Sequence, residues 1–256
     1  MPRSIWNGTI TFGTVNVPIK LYTATESKTV HFNELHEKDK ARIEHRRFCS
    51  KEDKEVPYEE VVKGYEVSGG KYVVLEKEEV AAADPSGGKR VELEHFVRAE
   101  EIDEVFYDRT YYVGAQDGGE DGYRLLLEAL RRSERVGIGR FVFHNKEQLV
   151  ALRALDGLLG LHTMRFADEV ASARDLDIPK PSKQPAGREV DMAGKLVDTL
   201  ATDFDPTDYK DTYRARVQKL IKQKAAGKEP SLPEPEEVSA PDDLMAALEA
   251  SLDGGG

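Results

Sequence analysis

The stretch with the most definite chemistry is residues 38–54, Lys-Asp-Lys-Ala-Arg-Ile-Glu-His-Arg-Arg-Phe-Cys-Ser-Lys-Glu-Asp-Lys. It holds seven cations (Lys38, Lys40, Arg42, Arg46, Arg47, Lys51 and Lys54) against four acids (Asp39, Glu44, Glu52 and Asp53). Ammonium and guanidinium groups gathered in this way suit phosphate oxygens, because each contact releases counterions condensed on a nucleic acid. A solvated surface loop has the same composition, and composition alone favours that blander reading. Length argues for function. Apolar residues are few and periodicity is weak from Phe32 to Gly70, and unstructured segments above about 12–15 residues are uncommon in compact domains unless they do something. About 33 residues running out and back at roughly 3.3 Å each reach ~50 Å, enough to pass around a duplex.

Covalent chemistry finds little support. Gly64 and Gly69 have the spacing of a phosphate-binding loop, but Gly70-Lys71-Tyr72 breaks the motif. No Gly-x-Gly-x-x-Gly opens a helix after a strand, no Gly-x-Ser-x-Gly elbow occurs, and there is no His-Glu-x-x-His. His31 and His36 are five apart, which puts them on different faces of a helix. Six histidines and the single Cys49 give no zinc spacing. His95, His144 and His162 lie on or beside strand patterns, where a satisfied structural histidine is the ordinary reading. No catalytic residue, metal or cofactor is therefore expected, although scattered carboxylates could still assemble in space and leave a hydrolase as a rival.

Charge argues against a polyanion partner at first sight. The net charge is −11 and the isoelectric point about 5.2, the wrong sign for a nucleic-acid binder. The distribution softens this. Residues 231–256 contain seven acids and no Lys or Arg, which leaves 37 basic against 41 acidic residues, or −4, in the rest. A near-neutral body can bind DNA if its cations share one surface. An acidic protein-interaction scaffold without DNA-end specificity is the alternative. No stretch approaches the ~18 consecutive apolar residues of a membrane span, and no apolar signal core follows Arg3. One cysteine excludes an intrachain disulfide and fits a reducing cytoplasm.

The elements that must carry the basic segment read as mainly β. Residues 4–24 predict strand, turn, strand, with the turn at Asn16-Val17-Pro18. Tyr72-Val73-Val74-Leu75 predicts a short strand followed by a helix start at Glu76-Lys77-Glu78-Glu79, and Pro85-Ser86-Gly87-Gly88 a turn. Val91–Val97 and Tyr111-Tyr112-Val113 read as strands, and 123–133 as a helix with Leu126, Leu127 and Leu130 on one side. The alternation Ile138, Arg140, Val142 predicts a strand, His144 to Glu147 a loop, and Leu149–Leu152 the next strand. Asp156-Gly157 suits a type I′ hairpin turn into Leu158–Phe166. Three successive antiparallel strands after many others point to a β-barrel or sandwich.

Downstream, Pro179, Pro181, Pro185 and Gly187 mark a linker. One helix presents Met192, Leu196, Val197, Leu200 and Phe204. A second starts at Asp205-Pro206 and carries Lys210, Arg214, Arg216, Lys219, Lys222 and Lys224. Its charged face is either simply solvated or a DNA or dimer contact. After a Pro-rich stretch at 229–241, Asp242-Asp243 begin a short helix with Leu244, Met245, Leu248 and Leu252 on one face. That stripe is either a docking motif for a partner or a helix folded back on the barrel.

Specific runs then resemble a known family. Arg3-Ser4-Ile5-Trp6-x-Gly8-x-Ile10-x-Phe12-Gly13-x-Val15-Asn16-Val17-Pro18-x-Lys20-Leu21-Tyr22 resembles the opening of bacterial Ku proteins. So do Val56-Pro57-Tyr58, Lys63-Gly64-Tyr65-Glu66, Tyr72-Val73-Val74-Leu75, Asn145-Lys146-Glu147 and Ala151-Leu152-Arg153. Further on, His162 to Glu169, Phe204-Asp205-Pro206 with Tyr209 and Tyr213, and Leu244-Met245-x-Ala247-Leu248-x-Ala250-Ser251-Leu252 fit the same pattern. The resemblance runs through essentially the whole chain, in order.

It implies a mainly β fold with α: a Ku-type β-barrel core of seven or so strands, an inserted bridge and a C-terminal helical arm. Core and bridge would occupy 1–178, with the bridge at about 36–71. Linker and arm would follow at 179–228, and an acidic, Pro-rich linker with a short docking helix at 229–256. It implies a homodimeric ring on double-stranded DNA ends that recruits and stimulates the end-joining ligase, in the cytoplasm on the nucleoid and not at a membrane. Carried over, Arg42, Arg46, Arg47 and Lys51 lead the DNA-backbone contacts, with Lys40, Lys54 and Lys28 beside them. Leu244, Met245, Leu248 and Leu252 become the ligase contact. Two departures stand out. Glu52 occupies the place of the second cysteine in the Cys-x-x-Cys of many relatives, so no bridge metal is expected. A Lys-rich extension beyond the last helix is missing before Gly254-Gly255-Gly256, so tail-dependent affinity for internal DNA is not expected.

Overall fold

The computed structural model describes residues 3–83, 89–143, 146–178, 184, 186–229 and 244–253. The first strands are β1 (Trp6–Phe12), β2 (Val15–Thr23), β3 (Phe48–Cys49), β4 (Lys54–Glu55), β5 (Lys63–Val67) and β6 (Lys71–Leu75). Helix α1 (Lys77–Ala82) precedes β7 (Arg90–Arg98) and β8 (Tyr107–Ala115). Helix α2 (Glu120–Ser133) leads into β9 (Arg135–Phe143), β10 (Lys146–Ala154) and β11 (Leu159–Met164). Helices α3 (Gly187–Leu200), α4 (Thr212–Ala225) and α5 (Leu244–Asp253) follow. They fall into two compact units, Met1–Ser27 with Asn33–Asp175, and Lys28–Phe32 with Leu176–Gly256. No helix among the described residues is long and apolar enough to cross a membrane.

The first unit is a closed seven-stranded barrel in the order β1-β2-β8-β11-β10-β9-β7. Every neighbouring pair is antiparallel except β1 and β7, whose parallel pairing of Thr9, Ile10 and Thr11 with Arg90, Val91 and Glu92 shuts the barrel. Alternate positions fill it: Ile10, Val17, Ile19, Leu21, Val91, Val150, Leu152, Leu159 and Leu161 have no exposed surface. β10 reads as a continuous apolar run because both its faces are covered. Val150 and Leu152 join the main core, whereas Ala151 packs with Val136 and Met164 outside it, beside Ile102 and Phe106. Helix α2 buries Leu126 and Leu130 in the main core. The Tyr123 hydroxyl donates to the Val113 carbonyl at 2.8 Å and accepts the Leu159 amide at 2.9 Å, fixing the helix to β8 and β11.

Several sequence expectations change. The first hairpin turns at Gly13-Thr14, with Gly13 at φ +56°, and not at Asn16-Val17-Pro18. Pro18 lies inside β2, where the ladder to β8 begins only at Ile19 and the Pro18 carbonyl accepts the Gln116 amide at 3.0 Å. Its missing N–H points to that same side, past the last rung, so no ladder bond is lost. Lys146 and Glu147 belong to β10, opposite Phe143 and Val142, not to a loop. In the next hairpin only Gly157 has positive φ, so Asp156 avoids the left-handed strain of a type I′ turn. Inside the weakly periodic stretch from Phe32 to Gly70 the chain forms hairpins. His144, Asn145, the turn at 85–88, Pro179, Pro181, Pro185, 230–241 and Asp242-Asp243 lie outside the described residues.

The helical region also departs from expectation. Gly187 begins α3 instead of closing a linker, with the Glu189 carboxylate accepting the Ala186 amide at 3.0 Å. Phe204 stands beyond the end of α3, which stops at Leu200 where Ala201 turns extended (φ −67°, ψ 130°). Asp205-Pro206 starts only a one-turn 3₁₀ segment; α4 begins at Thr212, capped by the Asp211 carboxylate on the Arg214 amide at 2.8 Å. His162 is structural: Nδ1 lies 3.0 Å from the Thr110 hydroxyl, and burial pulls its pKa down.

Gly139 shows how tightly the barrel is drawn. A Cβ there would lie 2.0 Å from the Glu92 carbonyl oxygen, beside the irregularity at Leu93–His95 in β7. Gly139→Ala should lower the unfolding free energy by about 3 kcal/mol. Gly194→Ala on α3, where nothing lies within 4 Å of the Cβ site, should raise it by about 0.5–1 kcal/mol. Urea denaturation of both variants checks the pair.

Candidate nucleic-acid interface

Between β2 and β7 the chain leaves the barrel, and no described residue from 33 to 75 is buried. Local turns hold it in three hairpins. In the first, the Ile43 amide donates to the Glu34 carbonyl at 3.0 Å and the tip closes from the His36 amide to the Ala41 carbonyl at 2.8 Å. Lys40 adopts φ +61° there, and its ammonium donates to the Glu37 carbonyl at 2.6 Å. Asp39 accepts the Ala41 amide and lies 2.8 Å from His36 Nδ1, which together hold its carboxyl below the usual range.

The second hairpin pairs β3 with β4, setting Phe48 opposite Glu55 and Cys49 opposite Lys54. Asp53, at φ +51°, closes it by donating its amide to the Cys49 carbonyl at 2.9 Å. The amides of Glu52 and Lys51 hold the Cys49 thiol below its ordinary pKa. The third hairpin pairs β5 with β6 through Gly69 and Gly70, both left-handed. No group of three or more His, Cys, Asp or Glu side chains converges among the described residues.

The cations on this excursion are not equivalent. Arg46 is bracketed by Glu55 at 3.0 Å and Glu44 at 3.4 Å, so its charge is already balanced. Hydrogen bonding and attraction by Glu55 come first among the causes that raise its pKa. Arg47 lies 5.0 Å from the centre of the Tyr58 ring, a cation–π contact worth about 0.5–1 kcal/mol at an exposed site, which orients the guanidinium without neutralising it. Among the described residues, no carboxylate pairs with Arg42, Arg47, Lys51 or Lys54. Lys28 falls in the other compact unit. Of the ligase-contact candidates, Leu244 opens α5, and Met245, Leu248 and Leu252 are half-buried.

Sequence reasoning missed four participants. Lys63 and Lys71 add charge on β5 and β6, and a motif search could have listed them. Glu55 and Tyr58, which tune Arg46 and Arg47, left no local signal, since the β3–β4 register is what brings Glu55 to Arg46.

The excursion is also apolar where it is bare. Phe48, Tyr58, Val62, Tyr65 and Tyr72 are each at least 60% exposed, and Val73, Val74 and Leu75 are exposed beside them. A closed barrel bearing an exposed, charged strap of hairpins is a barrel-and-bridge protein. The family model for the Ku70/Ku80 beta-barrel domain matches residues 11–192, and the chain belongs to the Ku family. Relatives named non-homologous end joining protein Ku occur in Anaeromyxobacter sp. (strain K), Bacillus subtilis and Symbiobacterium thermophilum. They are 46%, 37% and 41% identical, each over 98% of this chain. The matched stretches cover 86%, 82% and 62% of those relatives, so this chain spans less than two thirds of the last.

The unequal pairing of the cations makes a specific prediction. Replacing both Arg42 and Arg47 with Ala should flatten the log–log salt dependence of duplex binding by about 1–2 per chain, whereas Arg46→Ala should change it by less than about 0.5. Glu55→Gln should steepen it, because it releases Arg46. Filter binding across a salt series distinguishes these outcomes.

Proposed function

We propose that this chain binds the ends of double-stranded DNA without reading sequence, as a ring-forming homodimer acting in non-homologous end joining. The carrying observation is the coreless excursion of a Ku-family barrel, with cations lacking carboxylate partners and apolar residues left bare. Those cations suit phosphates, which position a protein on DNA without specifying bases. The bare tyrosines and valines of β5 and β6 suit burial against a second copy, since isolated two-stranded hairpins are at best marginal in water. A closed ring admits DNA only at a free end, so topology supplies end selectivity and electrostatics supply affinity. Four unpaired cations per copy, eight in a dimer, correspond to roughly a thousand- to hundred-thousand-fold loss of affinity between about 50 and 200 mM salt. No covalent step is needed. An acidic scaffold without DNA-end specificity leaves the unpaired cations unexplained.

We assign ligase recruitment to the last helix. α5 packs on α3, with Arg188 and Glu249 3.5 Å apart. The half-buried state of Met245, Leu248 and Leu252 leaves apolar surface for a partner groove on the α3–α5 pair, a recurrent mode of helix recognition.

One experiment addresses each half. In a salt-titrated gel shift, the protein should bind a linear duplex and ignore the same sequence as a closed circle; equal binding to both removes the threaded ring. Truncation after Pro241 should spare that shift and abolish stimulation of the end-joining ligase. Retained stimulation moves the docking site elsewhere.

A further inference from the structure

Helix α4 carries a charge pattern that the bridge does not explain. Residues 209–228 hold seven cations (Lys210, Arg214, Arg216, Lys219, Lys222, Lys224 and Lys228) against one carboxylate, Asp211. Around the barrel, by contrast, Arg98, Arg131, Arg132, Arg140, Lys146 and Arg165 each lie within ion-pair distance of a carboxylate. On α4 only Arg214 does so, 3.9 Å from Asp211. Among the described residues the other six have no acidic partner. In a chain of net charge −11, seven cations against one carboxylate over these residues is a strong local excess.

Position sharpens the point. Arg216, Lys219 and Lys222 follow one another at i, i+3 and i+6, within an arc of about 120° on the helix. They lie on the side opposite Val217 and Ile221, so whatever covers the apolar side leaves them in water. Arg216 is steadied by Thr212, its guanidinium 3.2 Å from the Thr212 hydroxyl. At the far end Gly227 turns left-handed (φ +70°) and the Lys228 amide returns to the Gln223 carbonyl at 3.0 Å. Beside it lies an open surface groove of about 410 Å³ whose lining includes Ala215, Gln218, Lys219, Lys222, Gln223 and Lys228. Its three lysine ammonium groups and two glutamine amides can each donate to an anionic oxygen. The row from Arg216 to Lys222 spans about 9 Å, the axial rise of two to three phosphates on one strand.

We propose that the Arg216–Lys219–Lys222 face of α4, with Lys228, is a second phosphate-binding surface that holds the backbone of duplex DNA independently of the bridge. This rests on the reading of the chain as a DNA-end binder. It adds charge–charge affinity and no sequence preference, since nothing in the row can read a base edge.

The test uses the full chain carrying Arg216→Ala, Lys219→Ala and Lys222→Ala together, and a linear duplex probe titrated with salt. The log–log slope should flatten by about 2–3 per chain, and affinity should fall tenfold or more at low salt, while linear DNA remains preferred over the closed circle. The charge-keeping set Arg216→Lys, Lys219→Arg and Lys222→Arg should restore the slope, which assigns the loss to charge and not to folding. An unchanged slope in the alanine variant overturns the proposal. So does an unchanged slope with lost ligase stimulation, which would give the face to a protein partner. Failure of the unmodified chain to bind linear DNA would instead remove the end-binding reading itself, and this surface with it.

Discussion

Three residue pairs hold the architecture shut. Thr9, Ile10 and Thr11 lie parallel to Arg90, Val91 and Glu92, and this short ladder converts an open antiparallel sheet into a barrel without free edges. Closure removes the unpaired N–H and C=O groups that make sheet edges prone to aggregate, and it seals a lumen in which nine large side chains have no exposure. It also frees the chain between β2 and β7. β2 finds its next neighbour in β8 and β1 finds its in β7, so no barrel strand comes from the described residues between Ala24 and Lys89. That segment can leave and return without weakening the sheet, which is the structural condition for a bridge.

Charge is managed separately in the two settings. Around the barrel, about half the cations are tied to carboxylates, as when Arg131 and Arg132 close on Glu128 and hold its carboxyl down to about 2. On the excursion and along α4 the ties are fewer, and the unpaired groups are those exposed to an approaching polyanion. A formal charge of −11 therefore says little about whether the protein engages DNA. The positions of its unpaired cations say more, since counterion release depends on contacts made and not on net charge.

The barrel strands were legible where the period was strong, as in β9, β10 and β11, with Asp156-Gly157 placing the turn between the last two though not its type. They were misread where one residue carries two meanings. Pro18 signals a turn in most sequences but sits at a rung that asks for no donor, and Asp205-Pro206 signals a helix start but yields one turn. β5 was hidden because Lys63-Gly64-Tyr65-Glu66-Val67 has little apolar density and buries nothing. The basic segment at 38–54 was readable from composition. Its internal ranking was not: Arg46 and Arg47 are neighbours in sequence, yet Glu55 and Tyr58 give them opposite states, and only the fold brings those partners in. The parallel closure joins residues some 80 apart, beyond any local signal.

The bare condition of residues 33–75 also bears on how long a solitary copy survives. A segment ordered by local turns and two-stranded hairpins, with no buried side chain, opens by local fluctuation at small free-energy cost, without unfolding the barrel behind it. Its exposed lysines and arginines are then cleavage points for trypsin-like proteases, and the rate follows local opening and not global stability. Anything bound over those hairpins would close that route, so turnover would fall on copies whose hairpins stay bare.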